Sequence, residues 1–137
     1  MEHDVSWLID RAEIRELTAR YGRYFDDGDA EEFANLFMED GSMEVVGGPT
    51  TNGRYELTEM CKQVPWGTMH VTVDATVEVD GDSAVQVVNI VVLGRPATRK
   101  DKPTFVGTGR YVDDLVRTTE GWRFSKRRVT LDGWVPR

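Results

Sequence analysis

Apolar side chains recur at helical spacing near the start of the chain. Over residues 12–25 they return every third or fourth position, which predicts one buried face of a first helix, Ala12–Phe25. The positions on this face are Ile14, Leu17, Tyr21 and Tyr24. The sequence Asp26-Asp27-Gly28-Asp29 follows, and because it is typical of a turn, the predicted helix ends there.

Two shorter helices and a short strand are predicted next. Asp29 and Glu32 are spaced as in a capping box, which predicts a second helix that ends near Asp40-Gly41. The apolar side of that helix consists of Phe33, Leu36 and Phe37. The run from Ser42 to Val46 is typical of a short strand, and the run from Tyr55 to Gln63 indicates a third helix.

Alternating apolar and polar residues dominate the second half of the chain. The four predicted strands are Met69 to Val79, Ala84 to Leu93, Thr104 to Arg117 and Trp122 to Leu131. Turns at Asp80-Gly81-Asp82 and Glu120-Gly121 join them into hairpins, with a basic loop from Gly94 to Pro103 between the two hairpins. Helices followed by strands predict an α+β fold, in which one curved antiparallel sheet wraps over the N-terminal helices and forms a cone with one open mouth.

Length, charge and cysteine content limit the classes of partner. The chain has 137 residues, which suits a single domain over 1–137 with its own core. Because 24 acidic residues outnumber 17 basic ones, the net charge of −7 disfavours nucleic acid and anionic membranes as partners. The single Cys61 leaves no internal disulfide, and the first residues lack a signal-peptide pattern, so we expect a cytoplasmic protein.

Two residues are the first candidates for chemistry. His70 is the only histidine besides His3, which lies in a leader that we expect to fray, so His70 is the one internal imidazole available for proton transfer near neutral pH. Asp26 ends the first predicted helix beside aromatic residues and could orient that imidazole. The alternatives are a surface or core histidine and an aspartate that serves only the turn.

The alternation around His70 opposes this hypothesis. Strict alternation places His70 on the polar face of its strand, which is the solvent face if the valines point into the core. The polar residues that share this face are Thr72, Asp74, Thr76 and Glu78. A bulge near Trp66-Gly67-Thr68 would turn His70 inward, but the sequence alone does not show one.

Several segments together resemble a known family. They are Tyr21 and Asp26 at the end of the first helix, His70 at the start of the first long strand, and the pair Gly109-Arg110-Tyr111 and Gly121-Trp122-Arg123-Phe124. Over nearly its whole length the chain resembles the SnoaL-like branch of the nuclear-transport-factor-2-like (NTF2-like) superfamily. It is most similar there to the group of scytalone dehydratase, bile acid 7α-dehydratase and hexachlorocyclohexane dehydrochlorinase. The resemblance implies a cone-shaped α+β barrel.

The resemblance also implies a reaction. His70 and Asp26 match the Asp-His dyad of that group, and Tyr21 matches a tyrosine that the bile acid dehydratase carries one helical turn before its aspartate. The Tyr21 phenol could donate a hydrogen bond to a substrate carbonyl while His70 removes the adjacent proton. The expected function is a cofactor-independent lyase of the dehydratase type, which acts on a small hydrophobic molecule, with no metal and no organic cofactor. The alternatives are an isomerase or polyketide cyclase with the same pocket, and a module that only binds a small ligand or forms a dimer. A homodimer is expected in each case.

Seven further residues are candidate substrate contacts. They are Tyr24, Phe37, Trp66, Met69, Asn89, Phe105 and Arg110, and Trp134 is a further hydrophobic wall candidate. For the large apolar residues, plain burial in the core is the alternative. Asn89 lies inside an apolar stretch and has a satisfied sheet position as its alternative. Arg110 matches a pocket arginine of the dehydrochlorinase, and a surface salt bridge is its alternative.

Overall fold

The computed structural model of the protein describes residues 3–64 and 67–132. The helices are α1 (Val5–Asp27), α2 (Ala30–Ala34) and α3 (Gly53–Gln63). The strands are β1 (Phe37–Val45), β2 (Thr50–Asn52), β3 (Thr68–Asp80), β4 (Ser83–Gly94), β5 (Thr104–Thr118) and β6 (Gly121–Leu131). The predicted α+β class is therefore confirmed. Trp66 and Trp134, which were predicted to line the cavity, lie outside the described residues.

All six strands form one curved sheet in the order β2-β1-β6-β5-β4-β3. The four long strands predicted from the alternation agree with β3 to β6 within one or two residues at each end. The pairing of β1 with β6 is parallel, whereas the other pairs are antiparallel, so the sheet is mixed rather than purely antiparallel. The sheet is not closed into a barrel, because β2 and β3 lie at its opposite edges.

The first helix begins seven residues earlier than predicted. Asp4 is its N-cap, and the Asp4 carboxylate accepts a hydrogen bond from the backbone N–H of Trp7 at 3.1 Å. The extra turns add no buried apolar face, since Val5 is 69% exposed and Leu8 is 56% exposed. Apolar spacing therefore did not reveal them, and residues 5–11, which precede the predicted helix, are helical.

The second helix is much shorter than predicted. It ends at Ala34, and Asp29 caps it without a side-chain hydrogen bond, so the capping box does not form. Phe37 begins strand β1 instead of continuing a helix, and the Leu36 carbonyl accepts a hydrogen bond from the backbone N–H of Phe124 at 2.9 Å. Apolar spacing suited a helix through Phe37, but pairing with the last strand gives Phe37 an extended backbone and full burial, while Phe33 stays in the helix and Leu36 lies in the turn between them.

A β-bulge in β3 reverses which residues face the core. Val73 is opposite Asn89 and Thr76 is opposite Val87, so β3 contains one extra residue between these pairs. Asp74 within this bulge has a φ of 55°. Before the bulge, His70 faces inward with its buried cross-strand neighbour Val92. A break in alternation therefore exists in the described part of β3, and it lies after His70, between Val73 and Thr76.

The core lies between the helices and the inner face of the sheet. Aromatic rings dominate it, and the Phe37 and Phe124 rings are 5.3 Å apart while the Tyr21 and Phe33 rings are 4.9 Å apart. Leu57 and Cys61 of α3 complete the packing and are fully buried. This packing holds the end of α1 against the inner face of β3, which brings Asp26 close to His70.

Candidate functional site

A cavity of about 1260 Å³ lies between the helices and the inner face of the sheet. Its walls are mainly apolar, which is typical of sites for small organic molecules. The apolar residues include Phe25, Met43, Met60, Val92, Val129 and Leu131. The polar groups include Tyr21, Thr68, His70 and Tyr111. Val106 also lines the cavity and is 60% exposed, so it marks the rim.

Asp26 and His70 are in direct contact at the edge of this cavity. His70 Nδ1 lies 2.6 Å from Asp26 Oδ1, and the backbone N–H of His70 donates to Asp26 Oδ2 at 2.8 Å. The Thr68 hydroxyl donates to Asp26 Oδ1 at 3.0 Å. The side chains of His70 and Asp26 are only 12% and 4% exposed. A proton on Nδ1 that bonds to the carboxylate leaves Nε2 as the ring nitrogen able to act on a ligand.

Two opposing effects set the charge of Asp26. Burial alone raises the pKa of the carboxyl, because it penalises the charged form. Hydrogen bonds from the His70 ring, the His70 backbone and Thr68 favour the anion and outweigh burial, so the pKa lies below its ordinary value. Asp26 is therefore an anion at neutral pH, and it can stabilise a positive charge on the imidazole.

The end of α1 is built for this contact. The helix terminates at Gly28 with a φ of 80°, a left-handed conformation that suits glycine, and Asp26 lies in its last turn. One turn earlier, a Cβ at Gly22 would lie 3.5 Å from the His70 Cβ, so strand and helix approach closely. The Phe25 ring meets the His70 ring edge to face at 5.0 Å. The imidazole is thus fixed on three sides.

Two phenols form the floor of the cavity. Tyr21 is 3% exposed, and its hydroxyl donates to Met43 Sδ at 3.0 Å, which is a weak acceptor. Burial raises the pKa of Tyr21 to about 12, so the phenol keeps its proton at neutral pH. Tyr111 lies edge to face with Tyr21 at 5.6 Å, and burial also raises its pKa. The sequence had pointed to Arg110 in the same motif rather than to Tyr111.

A buried ion pair lies beneath the phenols. Arg127 and Asp113 are both fully buried and form a two-bond pair, with distances of 2.6 and 2.8 Å. The Arg127 guanidinium lies 3.8 Å from the centre of the Tyr111 ring and 4.2 Å from that of Tyr21. Gln86 donates to Asp113 at 2.9 Å, so the carboxylate is well satisfied. The Arg127 guanidinium favours negative charge on the two phenolic oxygens. It therefore acts to lower the pKa of Tyr21 and Tyr111, against the increase that burial causes.

Arg127 was missed because it stands in the basic run Lys126-Arg127-Arg128, which is typical of a surface. Asp114 is opposite Lys126 and Leu115 is opposite Phe124, so β6 contains an extra residue at Ser125. This second bulge turns Arg127 inward. The sequence does contain an indication of this bulge. The buried apolar residues Phe124 and Val129 are an odd number of positions apart, so they cannot share one face of a strand unless its alternation is interrupted.

Six of the predicted contacts lie elsewhere. Phe37 is part of the core, and Tyr24 is half-buried at its margin, so neither lines the cavity. The other four lie on the outer face of the sheet: Met69, Asn89, Phe105 and Arg110. The Arg110 side chain donates to Asn89 at 3.0 Å, and Met69 and Phe105 are 46% and 69% exposed. They alternate with inward residues on their strands, which is why they face away from His70.

The described residues contain neither a group of metal ligands nor a membrane-spanning helix. Within residues 3–64 and 67–132, no three His, Cys, Asp or Glu side chains are grouped closely enough to hold a metal ion. In the same part of the chain, no helix combines the length and apolar character needed to span a membrane.

Known proteins share this fold. An uncharacterised protein of Mycobacterium tuberculosis is 28% identical over 131 residues, which are 92% of this chain and 88% of the relative. The crystal structure of an NTF2-like protein with a cystatin-like fold from Novosphingobium aromaticivorans is 34% identical, has a TM-score of 0.85, and matches 96% of this chain and 88% of that one.

A candidate scytalone dehydratase from Novosphingobium aromaticivorans is 20% identical, with a TM-score of 0.78, and matches 90% of this chain and 85% of that one. At this identity the likeness shows the fold alone. The family model for the SnoaL-like domain matches residues 7–128. The chain therefore belongs to the SnoaL-like domain family of the NTF2-like superfamily.

Proposed function

We propose that the protein is a cofactor-independent lyase of the dehydratase type, which acts on a small hydrophobic substrate. The observation that carries the proposal is the contact of 2.6 Å between His70 and the buried anion Asp26 at the wall of a large apolar cavity. A base held by a carboxylate beside apolar walls suits the removal of a proton from carbon. A solved structure named as a scytalone dehydratase shares this fold, so the fold is compatible with the same reaction class.

In the proposed reaction, His70 Nε2 takes a proton from the carbon beside a substrate carbonyl. Asp26 stabilises the resulting imidazolium, and electrons from the broken C–H bond form an enolate. Tyr21 donates a hydrogen bond to the enolate oxygen in exchange for its weak bond to Met43. The enolate then expels the β-hydroxyl group, which takes the proton from His70 and leaves as water. Each positioned group of this kind typically contributes about 10²- to 10⁴-fold.

Isomerisation and polyketide cyclisation pass through the same enolate and remain alternatives. They differ in what happens next, because the enolate is reprotonated at another carbon or attacks a second carbonyl. Product analysis separates the three reactions, because isomerisation leaves the molecular mass unchanged, cyclisation forms a new carbon–carbon bond, and dehydration removes one water while the carbon skeleton stays the same. Simple ligand binding is the remaining alternative, and there no turnover occurs.

The test is a panel of β-hydroxy carbonyl compounds with apolar rings, monitored by the absorbance of the conjugated product. We expect His70→Gln to lose about 10³-fold or more in kcat with little change in KM. The second variant of the test is Asp26→Asn, which removes the carboxylate that contacts His70. Asp27→Asn is its control, because Asp27 is exposed and lies next to Asp26 at the same helix end. In D₂O, recovered substrate should gain deuterium at the abstracted position. Equal turnover by wild type and His70→Gln would refute the role of the base.

We also propose that the protein is a homodimer formed through the outer face of the sheet. Apolar residues are exposed there, including Met69, Val73, Val85 and Phe105. A stable interface on this face should bury about 1,000 Å² or more in total. Light scattering that gives the monomer mass of 15.5 kDa at high protein concentration would refute the dimer.

A further inference from the structure

The loop between β4 and β5 is strongly basic in an acidic protein. Residues 95–103 contain four basic residues and one acidic residue, whereas the whole chain has a net charge of −7. The basic residues are Arg95, Arg99, Lys100 and Lys102, and all four are exposed. The acidic residue is Asp101, whose carboxylate accepts a hydrogen bond from the Thr98 hydroxyl at 3.0 Å within the loop.

This loop lies at the rim of the cavity. The backbone N–H of Arg95 donates to the Gly67 carbonyl, immediately before strand β3 and His70. At its other end the loop runs into Thr104 and then Val106, which lines the cavity and is largely exposed. The two ends of the loop therefore adjoin the cavity-lining residues Thr68 and Val106, and the loop adds four basic residues and one acidic residue beside the cavity opening.

Two carboxylates near the rim offset part of this charge. Arg95 lies 4.0 Å from Asp27. Asp132 lines the cavity and accepts a hydrogen bond from the Thr108 hydroxyl at 2.6 Å. Arg99, Lys100 and Lys102 form no ion pair with the residues that the structure describes. With Asp27 and Asp132 subtracted from the loop's net charge of three, a net charge of about +1 is left, so a group that lies at the rim with its body in the cavity meets a weakly positive potential.

We propose that the 95–103 loop selects ligands whose apolar body carries an anionic group, a carboxylate or a phosphate, at the end that reaches the rim. The apolar body fills the cavity beside His70, and the anion stays at the rim among Arg99, Lys100 and Lys102. The view that such a ligand is a substrate rests on the proposed function. The proposal itself concerns binding alone and is tested without turnover.

The test uses three naphthalene probes that share one apolar body: 2-naphthoate, 2-naphthyl phosphate and neutral 2-naphthamide. Binding is followed by NMR of ¹³C-labelled methionine methyl groups. Met43 and Met60 line the cavity, whereas Met69 lies on the outer face of the sheet and reports binding at the wrong site. Dissociation constants are taken only from shifts at Met43 and Met60.

The decisive variant is Arg99→Gln/Lys100→Gln/Lys102→Gln. Its matched control is Arg15→Gln/Arg20→Gln/Lys126→Gln, which removes the same charge on α1 and in the middle of β6. In wild type and control, we expect the anionic probes to bind roughly 3- to 10-fold more tightly than the amide at low salt, with the preference lost near about 1 M salt. In the loop variant, the anionic probes should bind no more tightly than the amide.

Four outcomes would overturn the proposal. Equal binding of all three probes by wild type, or an anion preference that survives the loop substitutions, would show that the loop does not select anions, while the cavity and the proposed reaction would stand. Absence of any shift at Met43 and Met60 would count against both the proposal and the proposed function. Loop-dependent sedimentation with phosphatidylserine vesicles, without any probe preference, would assign the charge to a membrane surface instead. Tighter binding of 2-naphthyl phosphate than of 2-naphthoate, or the reverse, supports the proposal and identifies which of the two anionic groups the loop prefers.

Discussion

Asp26→Asn tests the central contact of the site through stability as well as activity. The Asp26 carboxylate accepts three hydrogen bonds, from the His70 ring at 2.6 Å, the His70 backbone at 2.8 Å and Thr68 at 3.0 Å. Asparagine keeps one oxygen acceptor but replaces the other with an NH₂ donor, which opposes at least one of these donors. Hydrogen bonds to a charged group contribute about 1.5–3 kcal/mol each, and burial of the charge offsets part of that gain.

We therefore expect Asp26→Asn to lower the free energy of unfolding by about 1–3 kcal/mol at pH 7. The pKa of Asp26 is lowered in the folded protein, so its stabilising contribution is present above the unfolded pKa, near 3.9. The contribution is lost as the pH falls through the lower folded value. The difference between wild type and variant should accordingly shrink as the pH drops below about 4.

Urea unfolding of both proteins at several pH values measures this difference. Asp27→Asn is the control, because its side chain is 58% exposed, and we expect a change within about 0.5 kcal/mol. A wild type and an Asp26→Asn variant of equal stability at pH 7 would contradict the assigned hydrogen bonds. A difference that stays constant down to pH 3 would contradict the lowered pKa.

Three further predictions concern Tyr21, the buried ion pair and the bulge in β3. Tyr21→Phe should reduce turnover about 10- to 1,000-fold with a stability loss of about 1 kcal/mol or less, whereas Tyr24→Phe should leave turnover unchanged. Arg127→Met should cost about 3–5 kcal/mol in urea unfolding because it strands a buried carboxylate, and adding Asp113→Leu should recover much of the loss; no recovery would contradict the ion-pair reasoning. Asp74→Gly should be neutral or stabilising because φ is 55°, and Asp74→Val should cost about 1–2 kcal/mol; the opposite order would contradict the bulge.

The alternating segments and their order could be predicted from sequence because they follow from burial alone. One buried face per strand requires period two, and the four long strands show it clearly. Phe33 and Phe37 show the limit of this reasoning. Their spacing satisfies one side of a helix, but Phe37 is buried equally well in an extended strand beside β6, and that pairing partner is distant in sequence.

The candidate contacts were less predictable than the fold. The face on which a strand residue lies depends on whether it is an odd or an even number of positions away from an inward-facing residue. Met69, Asn89, Phe105 and Arg110 are close to His70 or Tyr111 in sequence or by strand register, yet they face the outer side. Size and polarity do not distinguish the two faces of such strands. Only the position of each bulge does, and a bulge is set by backbone pairing between distant segments.

The two bulges together account for the polar groups of the site. Without the extra residue of β3 in the segment of Asp74, a register that keeps Val77 inward would turn His70 outward, away from Asp26. Without the extra residue in β6, a register that keeps Phe124 inward would turn Arg127 outward, away from Tyr21 and Tyr111. Each bulge lets an apolar strand remain in the core while one ionisable side chain enters it. A lyase of the proposed type needs this combination, because its base and hydrogen-bond donors must act in an apolar cavity.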